Sequence, residues 1–95
     1  MSKVTVNDVE YQVKFLYDFL EIEEGTIVYS GTTVCRIFID NKQVAYGHSE
    51  CNPHDTFVKK VGRTIALTRA LKQLKVDRNI RVVFWKILFP QYFRS

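Results

Sequence analysis

Two cysteines and two histidines give this chain its most specific chemical possibility. They are arranged as Cys35-x12-His48-x2-Cys51-x2-His54. Four nitrogen and sulfur ligands suit a closed tetrahedral zinc site, and Cys35 and His48 would supply half of it if they faced each other in a hairpin. Against such a site, Cys51 follows His48 by three residues of extended chain and so points to the other face of the strand. A small zinc-stabilised module is therefore an alternative, while the main expectation is that the chain has no metal or other cofactor.

Cys35 and His48 also meet the minimum requirement of cysteine catalysis, a thiol beside a base. Both would lie in mid-strand on an apolar face, where a cysteine usually behaves as a small hydrophobic residue. The sequence has no glycine-rich phosphate loop and no His-x-Glu or His-Glu-x-x-His arrangement that would indicate a catalytic zinc. We therefore expect that the chain is not an enzyme.

Positive charge on one helix is the stronger functional signal. Residues 59–75 include six basic side chains and no acidic one. On a helical wheel four polar residues fall together and flank a strip of small residues, Gly62, Ala66 and Ala70. The four are Lys59, Arg63, Arg69 and Gln73. If it is exposed, this small-residue strip would let phosphates or an acidic protein surface approach closely. The alternative is that the strip packs against the sheet or the second helix.

Arg81 and Trp85 lie one turn apart on a predicted second helix. Tryptophan and arginine are enriched at interface hot spots, and an aromatic ring beside cations would also suit single-stranded nucleic acid. The alternatives are that the arginine stacks on the tryptophan within the fold, or that Trp85 completes the core. The predicted contact residues are Lys59, Arg63, Arg69, Arg81 and Trp85.

A sheet of short strands must come before these helices. The Asn7-Asp8 pair predicts a two-residue hairpin turn, and alternation from Val9 to Phe19 indicates a strand, although part of it also fits a helix. Residues 33–50 predict the central hairpin, with a loop centred on Asn41-Lys42. That loop pairs residues whose numbers sum to 83 and makes one apolar face from Cys35 with His48, Ile37 with Tyr46, and Ile39 with Val44.

Two helices then follow. Asn52-Pro53 predicts the cap and start of the basic helix, residues 53–75, whose buried face is assigned to Phe57, Val61, Ile65, Leu67, Leu71 and Leu74. Asp77 predicts the cap of a C-terminal helix over 77–89, although its β-propensity leaves a strand possible. The sequence thus predicts a single α+β domain over 1–95. Its antiparallel sheet of four or five strands packs against the two C-terminal helices.

Charge is divided unevenly along the chain. Residues 1–55 carry four basic and nine acidic residues, a net charge of −5, whereas residues 56–95 carry ten basic residues and one acidic residue, a net charge of +9. This division favours an acidic partner, either an acidic protein surface or nucleic acid, although the two halves could instead neutralise each other. No apolar run approaches the roughly 18–20 residues of a membrane helix, and the start lacks a signal peptide's apolar stretch. We expect a cytoplasmic protein with no membrane partner.

A longer pattern resembles a module of many short bacteriophage proteins. It reads Gly47-x3-Cys51-x-Pro53-x-Asp55-x-Phe57-x-Lys59, then Gly62-Arg63 and Ala66-Leu67-x-Arg69-Ala70-Leu71. The ending RVVFWKILFPQYF is similar too, with an arginine four residues before a tryptophan, but it departs at Phe89-Pro90, where an unbroken helix is usual. The resemblance covers residues 33–93. It implies an early accessory protein, such as an anti-CRISPR-like or host-takeover inhibitor, that binds a host or defence macromolecule in the host cytoplasm.

Overall fold

The computed structural model describes the backbone of residues 2–23, 25–50 and 59–93, with side chains except at 18–23, 26–30, 59 and 92–93. The strands are β1 (Ser2–Val6), β2 (Val9–Glu23), β3 (Thr26–Ile39) and β4 (Lys42–Glu50). They are followed by α1 (Lys59–Leu74), α2 (Arg78–Leu88) and a short 3-10 helix (Pro90–Phe93). The predicted α+β class, an antiparallel sheet followed by two C-terminal helices, is confirmed.

The sheet is an antiparallel meander in the order β1-β2-β3-β4. Two-residue turns join β1 to β2 at Asn7-Asp8 and β3 to β4 at Asp40-Asn41, and all four turn residues have positive φ, between 50° and 65°. Two consecutive left-handed residues form a type I′ turn, which matches the right-handed twist of the flanking strands. Asn and Asp adopt this conformation more readily than other non-glycine residues. The segment from Val9 is therefore a strand, and its helical alternative is wrong.

The register predicted for the β3–β4 hairpin is wrong by one residue. Cys35 pairs with Gly47 and Ile37 pairs with Ala45, so the residue numbers sum to 82 instead of 83. The turn lies one residue earlier than the predicted loop centre. Val44 forms a β-bulge, because Ile37 pairs with Ala45 and Phe38 pairs with Gln43. Because a slip of one residue reverses the faces of a strand, Val44, Tyr46 and His48 point away from the core.

Close packing against α1 explains the observed register. Ala45, Gly47 and Ser49 are buried on the inner face of β4. A Cβ atom at Gly47 would overlap the backbone of α1 at Ala66 O and Ala70 N. The Ser49 hydroxyl donates a hydrogen bond of 2.9 Å to the carbonyl of α1 one turn earlier, at Gly62. The helix therefore lies too close to β4 for tyrosine or histidine to face it.

The small-residue strip of α1 is the contact surface with the sheet. Ala66 and Ala70 have no exposed surface, and a Cβ at Gly62 would lie 2.6 Å from Thr33 Oγ1. The sequence left open whether this strip is exposed or packed, and the structure shows that it is packed on the sheet. The predicted apolar face is partly wrong, because Val61 and Ile65 are 55% and 38% exposed whereas Leu67 and Leu71 are buried.

Helix α2 begins at a side-chain cap and ends beside a proline. The Asp77 carboxylate accepts a hydrogen bond of 3.1 Å from Ile80 N–H, which satisfies one of the free donors of the first turn. Phe84 is buried, with its ring centroid 5.1 Å from that of Tyr11 in β2. Residues 80–88 are helical, so the strand alternative is wrong. The predicted cap at Asn52-Pro53 and the first residues of the predicted 53–75 helix lie outside the described residues.

Neither helix within the described residues has the length and apolar character needed to cross a lipid bilayer.

Candidate binding groove between the two helices

An open groove of about 460 Å³ runs between α1 and α2. Helix α1 lines it with Thr68, Leu71 and Lys72, and α2 lines it with Arg78, Arg81, Val82 and Trp85. Three of these seven residues are cations, and no acidic residue is among them. We call this surface the cationic groove. Its composition combines positive charge with an apolar, aromatic wall.

The helical repeat and one tight turn bring the two faces together. The α1 residues are spaced i, i+3, i+4, and the α2 residues are spaced i, i+3, i+4, i+7, so each set forms one stripe on its helix. Between the helices Lys75 adopts a left-handed conformation, with φ of 59°, and its N–H donates to Leu71 O at 3.2 Å. A left-handed residue directly after a helix ends it and reverses the chain. The chain therefore begins α2 within four residues of the end of α1.

The positive charges of the groove are not neutralised within the described part of the chain. Lys72, Arg78 and Arg81 are exposed, and none of them takes part in an ion pair there. Asp77, the one acidic residue of the 56–95 segment, directs its carboxylate to the backbone of α2. Like charges held near one another create a local potential that attracts an anionic partner.

Trp85 is half-buried, and its indole packs against the core residue Phe89. Its ring centroid lies 5.4 Å from that of Phe89, with the planes inclined at 40°. Phe89 is 2% exposed and packs edge-on against Phe15 of β2 at 6.4 Å. The indole is therefore held by the core while it lines the groove. A fixed aromatic surface of this kind loses little conformational entropy when a partner binds.

The five predicted contact residues do not form one surface. Arg81 and Trp85 both line the cationic groove. Arg63 is half-buried, and its guanidinium lies over the Phe89 ring, 5.9 Å from the ring centroid. Arg69 donates from Nη1 to the carbonyl of His48 at 2.7 Å. Lys59 is the first residue of α1, and its side chain lies outside the described ones.

Arg69 stabilises the edge of the sheet at β4 through its hydrogen bond to the His48 carbonyl. Strand β4 is one of the two edge strands of the sheet, so among the described residues one side of its backbone has no neighbouring strand. Gln73, one turn after Arg69, accepts a hydrogen bond of 2.6 Å from Tyr46 N–H at this edge. Together the two side chains satisfy a donor and an acceptor that would otherwise be open to pairing with another strand.

Sequence reasoning missed Lys72 and Arg78 as groove residues. Arg78 lies three residues before Arg81, so extending the Arg81–Trp85 stripe by one turn towards the helix start identifies it. Lys72 carries no comparable signal, because its place in the groove depends on how α1 lies against α2. A helical wheel of α1 alone does not contain that information.

The predicted pairing of Cys35 with His48 is wrong, so these two residues form neither half of a zinc site nor a catalytic dyad. Cys35 is fully buried on the inner face of β3, whereas His48 is exposed on the opposite face of the sheet. Burial raises the pKa of the Cys35 thiol to about 12, so it stays protonated at neutral pH. Cys51 and His54 lie outside the described residues. Among the residues that are described, no three His, Cys, Asp or Glu side chains are grouped to hold a metal ion.

The fold and the groove define a small two-layer α+β domain with a cationic groove on its helical side. Comparison with protein-family models, with curated proteins and with solved structures found no match. The resemblance to phage accessory proteins therefore stays a prediction, and the geometry of the groove is the basis for a function.

Proposed function

We propose that this chain is a non-enzymatic binding protein whose cationic groove holds an acidic, extended segment of a partner protein. The observation that carries the proposal is the set of three unneutralised cations around one core-supported tryptophan. The partner, as the sequence resemblance implies, is a host or defence protein in an infected cell. Occupying its acidic segment would modulate its activity by occlusion.

The lining of the groove favours a polypeptide partner. Arg78 and Arg81 offer planar guanidinium groups, which match the geometry of carboxylates. Val82 and Trp85 offer apolar contact for a residue between those carboxylates. The alternative of a nucleic acid laid along the basic helix has lost its flat contact surface, since Ala66 and Ala70 are buried against the sheet.

The expected affinity for a short segment is modest. Exposed ion pairs contribute about 0.2–1 kcal/mol each, so three give about 1–3 kcal/mol. Covering about 100 Å² of apolar surface around Trp85 adds about 2.5 kcal/mol. These contributions correspond to a Kd of about 0.1–3 mM before the cost of association, so a short peptide should bind in the millimolar range. A natural partner with a larger contact area would bind more tightly.

Trp85 makes the test direct, because it is the one tryptophan in the chain. Its emission should shift saturably when a decapeptide of glutamates with one central phenylalanine is added. The same peptide with lysine in place of glutamate should leave the emission unchanged. Arg78→Ala combined with Arg81→Ala should raise the Kd about fivefold, because each exposed pair accounts for a factor of about 1.4–5.

Lys60→Ala, which removes one positive charge outside the groove, is the control for this experiment. Lys60 is exposed on the first turn of α1, eight residues or roughly 12 Å along the helix from Thr68. Its loss should change the Kd less than twofold. The proposal would be contradicted if Lys60→Ala weakened binding as much as the double variant, or if the glutamate peptide left the emission unchanged. An emission change with single-stranded (dT)10 but not with the peptide would assign the groove to nucleic acid instead.

A further inference from the structure

The face of the sheet opposite the helices presents exposed cations and aromatic rings. Helix α1 packs on the inner side of β3 and β4, and α2 lies on the inner side next to β1, so the opposite side has no covering layer in the described structure. Residues facing that way alternate with the buried ones along each strand. We call this surface the outer sheet face; its central residues are Lys14, Arg36, Phe38, Tyr46 and His48.

Two positive charges stand side by side at its centre. Lys14 on β2 is the direct cross-strand partner of Arg36 on β3, and Arg36 is in turn the partner of Tyr46 on β4. Both cations are exposed, and neither forms an ion pair among the described residues. Like charges directly opposite each other destabilise a sheet. An anion placed between the two side chains would remove that repulsion.

Aromatic rings flank this pair of charges. Tyr46 is 41% exposed, and its ring is nearly parallel to that of His48, with the centroids 6.0 Å apart and the planes inclined at 12°. Phe38 follows Arg36 by two residues on the same face of β3 and is half-buried. The outer sheet face therefore presents flat rings and cations within the same three strands.

We propose that the outer sheet face binds a single-stranded nucleic acid, with bases stacked on Tyr46 and His48 and phosphates held by Arg36 and Lys14. A single strand alternates flat bases with negative phosphates, and both parts have a counterpart here. Neighbouring strands are about 4.8 Å apart, so Arg36 lies one spacing and Lys14 two spacings from Tyr46. A nucleic acid crossing from β4 towards β2 thus meets rings first and then cations. This site is separate from the cationic groove, which lies on the helical side.

Other occupants fit this face less well. A duplex hides the faces of its bases, so it could use the cations but not the rings. An acidic peptide offers carboxylates but no flat surfaces that match two nearly parallel rings. A second copy related by a two-fold axis would bring Lys14 and Arg36 against the same cations of its partner. Charge and ring geometry therefore favour a single strand.

The experiment measures fluorescence anisotropy of fluorescein-labelled (dT)12 between 20 and 200 mM NaCl. Tyr46→Ala should weaken binding by about 5–100-fold, the effect of losing one stacked base. The backbone N–H of residue 46, which donates to Gln73, is retained in this variant. A 12-base-pair duplex should bind at least tenfold more weakly than (dT)12.

Lys14→Glu separates binding from folding. It replaces a repulsive pair with an attractive one, so the free protein should melt a few degrees higher. The same change should weaken (dT)12 binding and lower the salt slope by at least about 0.7, the value of one phosphate contact on a single strand. Higher stability with lower affinity is a combination that a purely structural lysine would not give. Lys60→Ala removes a charge from the helical side and should leave the affinity within twofold.

Three results would overturn the proposal. The first is (dT)12 binding that Tyr46→Ala and Lys14→Glu leave unchanged, or no binding at 20 mM NaCl. The second is duplex binding as tight as that of the single strand, which would show contact with phosphates alone. The third is a homodimer in sedimentation equilibrium that Tyr46→Ala dissociates, which would assign the outer sheet face to a second copy of the chain.

Discussion

Gly47→Ala is the substitution that most sharply tests how α1 lies on the sheet. The added methyl group would overlap Ala66 O and Ala70 N, and it would lie 2.8 Å from Arg69 Cβ. Two of these atoms belong to the backbone of a helix, so no side-chain rotation can make room. Either α1 moves away from β4 or the strand shifts outward.

The cost can be estimated from what such a movement breaks. Overpacking a tight contact costs about 1–3 kcal/mol. Lifting α1 also weakens the hydrogen bonds that Arg69 and Gln73 make to β4, at about 0.5–1.5 kcal/mol each. The lower entropy of the unfolded alanine chain offsets about 0.4–1 kcal/mol. The net loss is about 2–4 kcal/mol, which for a domain of this size lowers Tm by about 10–30 °C.

Thermal and urea unfolding followed by circular dichroism would measure this loss. Gly62→Ala is the matched control, because its methyl group meets a side-chain atom, Thr33 Oγ1 at 2.6 Å, and alanine is the better helix former. Combining Gly62→Ala with Thr33→Ala should recover part of any loss, whereas combining Gly47→Ala with Ala70→Gly should recover none. A Gly47→Ala protein as stable as the wild type would refute the close packing of α1 on β4.

Three further predictions concern stability, the sheet edge and the buried thiol. Arg69→Ala combined with Gln73→Ala should expose the free edge of β4 and give concentration-dependent association in sedimentation velocity; a strictly monomeric variant would contradict an edge-protecting role. Asp77→Ala should lower the unfolding free energy by about 1 kcal/mol through loss of the helix cap, and an unchanged urea midpoint would count against that cap. The pKa of the Cys35 thiol is about 12 in the fold against 9.0 unfolded, so its contribution to stability is present below pH 9 and is lost as pH rises from 9 towards 12. Urea unfolding of a Cys51→Ser protein should show this loss of stability between pH 9 and 12. The loss should vanish when Cys35 is also replaced by alanine. If the same pH dependence remained after that replacement, the Cys35 thiol would not be its cause.

Local signals in the sequence were enough for the class of fold. The Asn7-Asp8 turn, the alternation after Val9 and the cap at Asp77 each depend on a few neighbouring residues, and the structure shows all three. Such features arise from backbone conformations and hydrogen bonds that a short segment determines by itself.

The register of the second hairpin depends on a contact that is remote in sequence. Three neighbouring residues, Asp40, Asn41 and Lys42, all suit a turn, so composition leaves the loop position open by one residue. The close approach of α1 then decides it, because only Ala45, Gly47 and Ser49 are small enough to face the helix. Alternation of apolar residues favoured tyrosine and histidine inside instead. Steric fit outweighed hydrophobicity here.

The candidate site was only partly predictable, because it too depends on contacts between residues that are remote in sequence. Arg81 and Trp85 stood out by residue type and helical spacing, and both line the groove. Arg63 and Arg69 have the same residue type, yet one lies on an aromatic ring and the other bonds to a strand edge. Which arginines stay free depends on tertiary neighbours, and a helical wheel does not include them.

The central claim is that the cationic groove selects an acidic segment, and charge reversal tests this claim most directly. In a chain carrying Arg78→Glu and Arg81→Glu, Trp85 remains as the reporter while the sign of two lining charges changes. We predict that its emission stops responding to the glutamate decapeptide and begins to respond to the lysine decapeptide, with dissociation constants exchanged to within about an order of magnitude. If the reversed protein still bound the glutamate peptide with its original affinity, the peptide would be held elsewhere and the groove would not be the binding site.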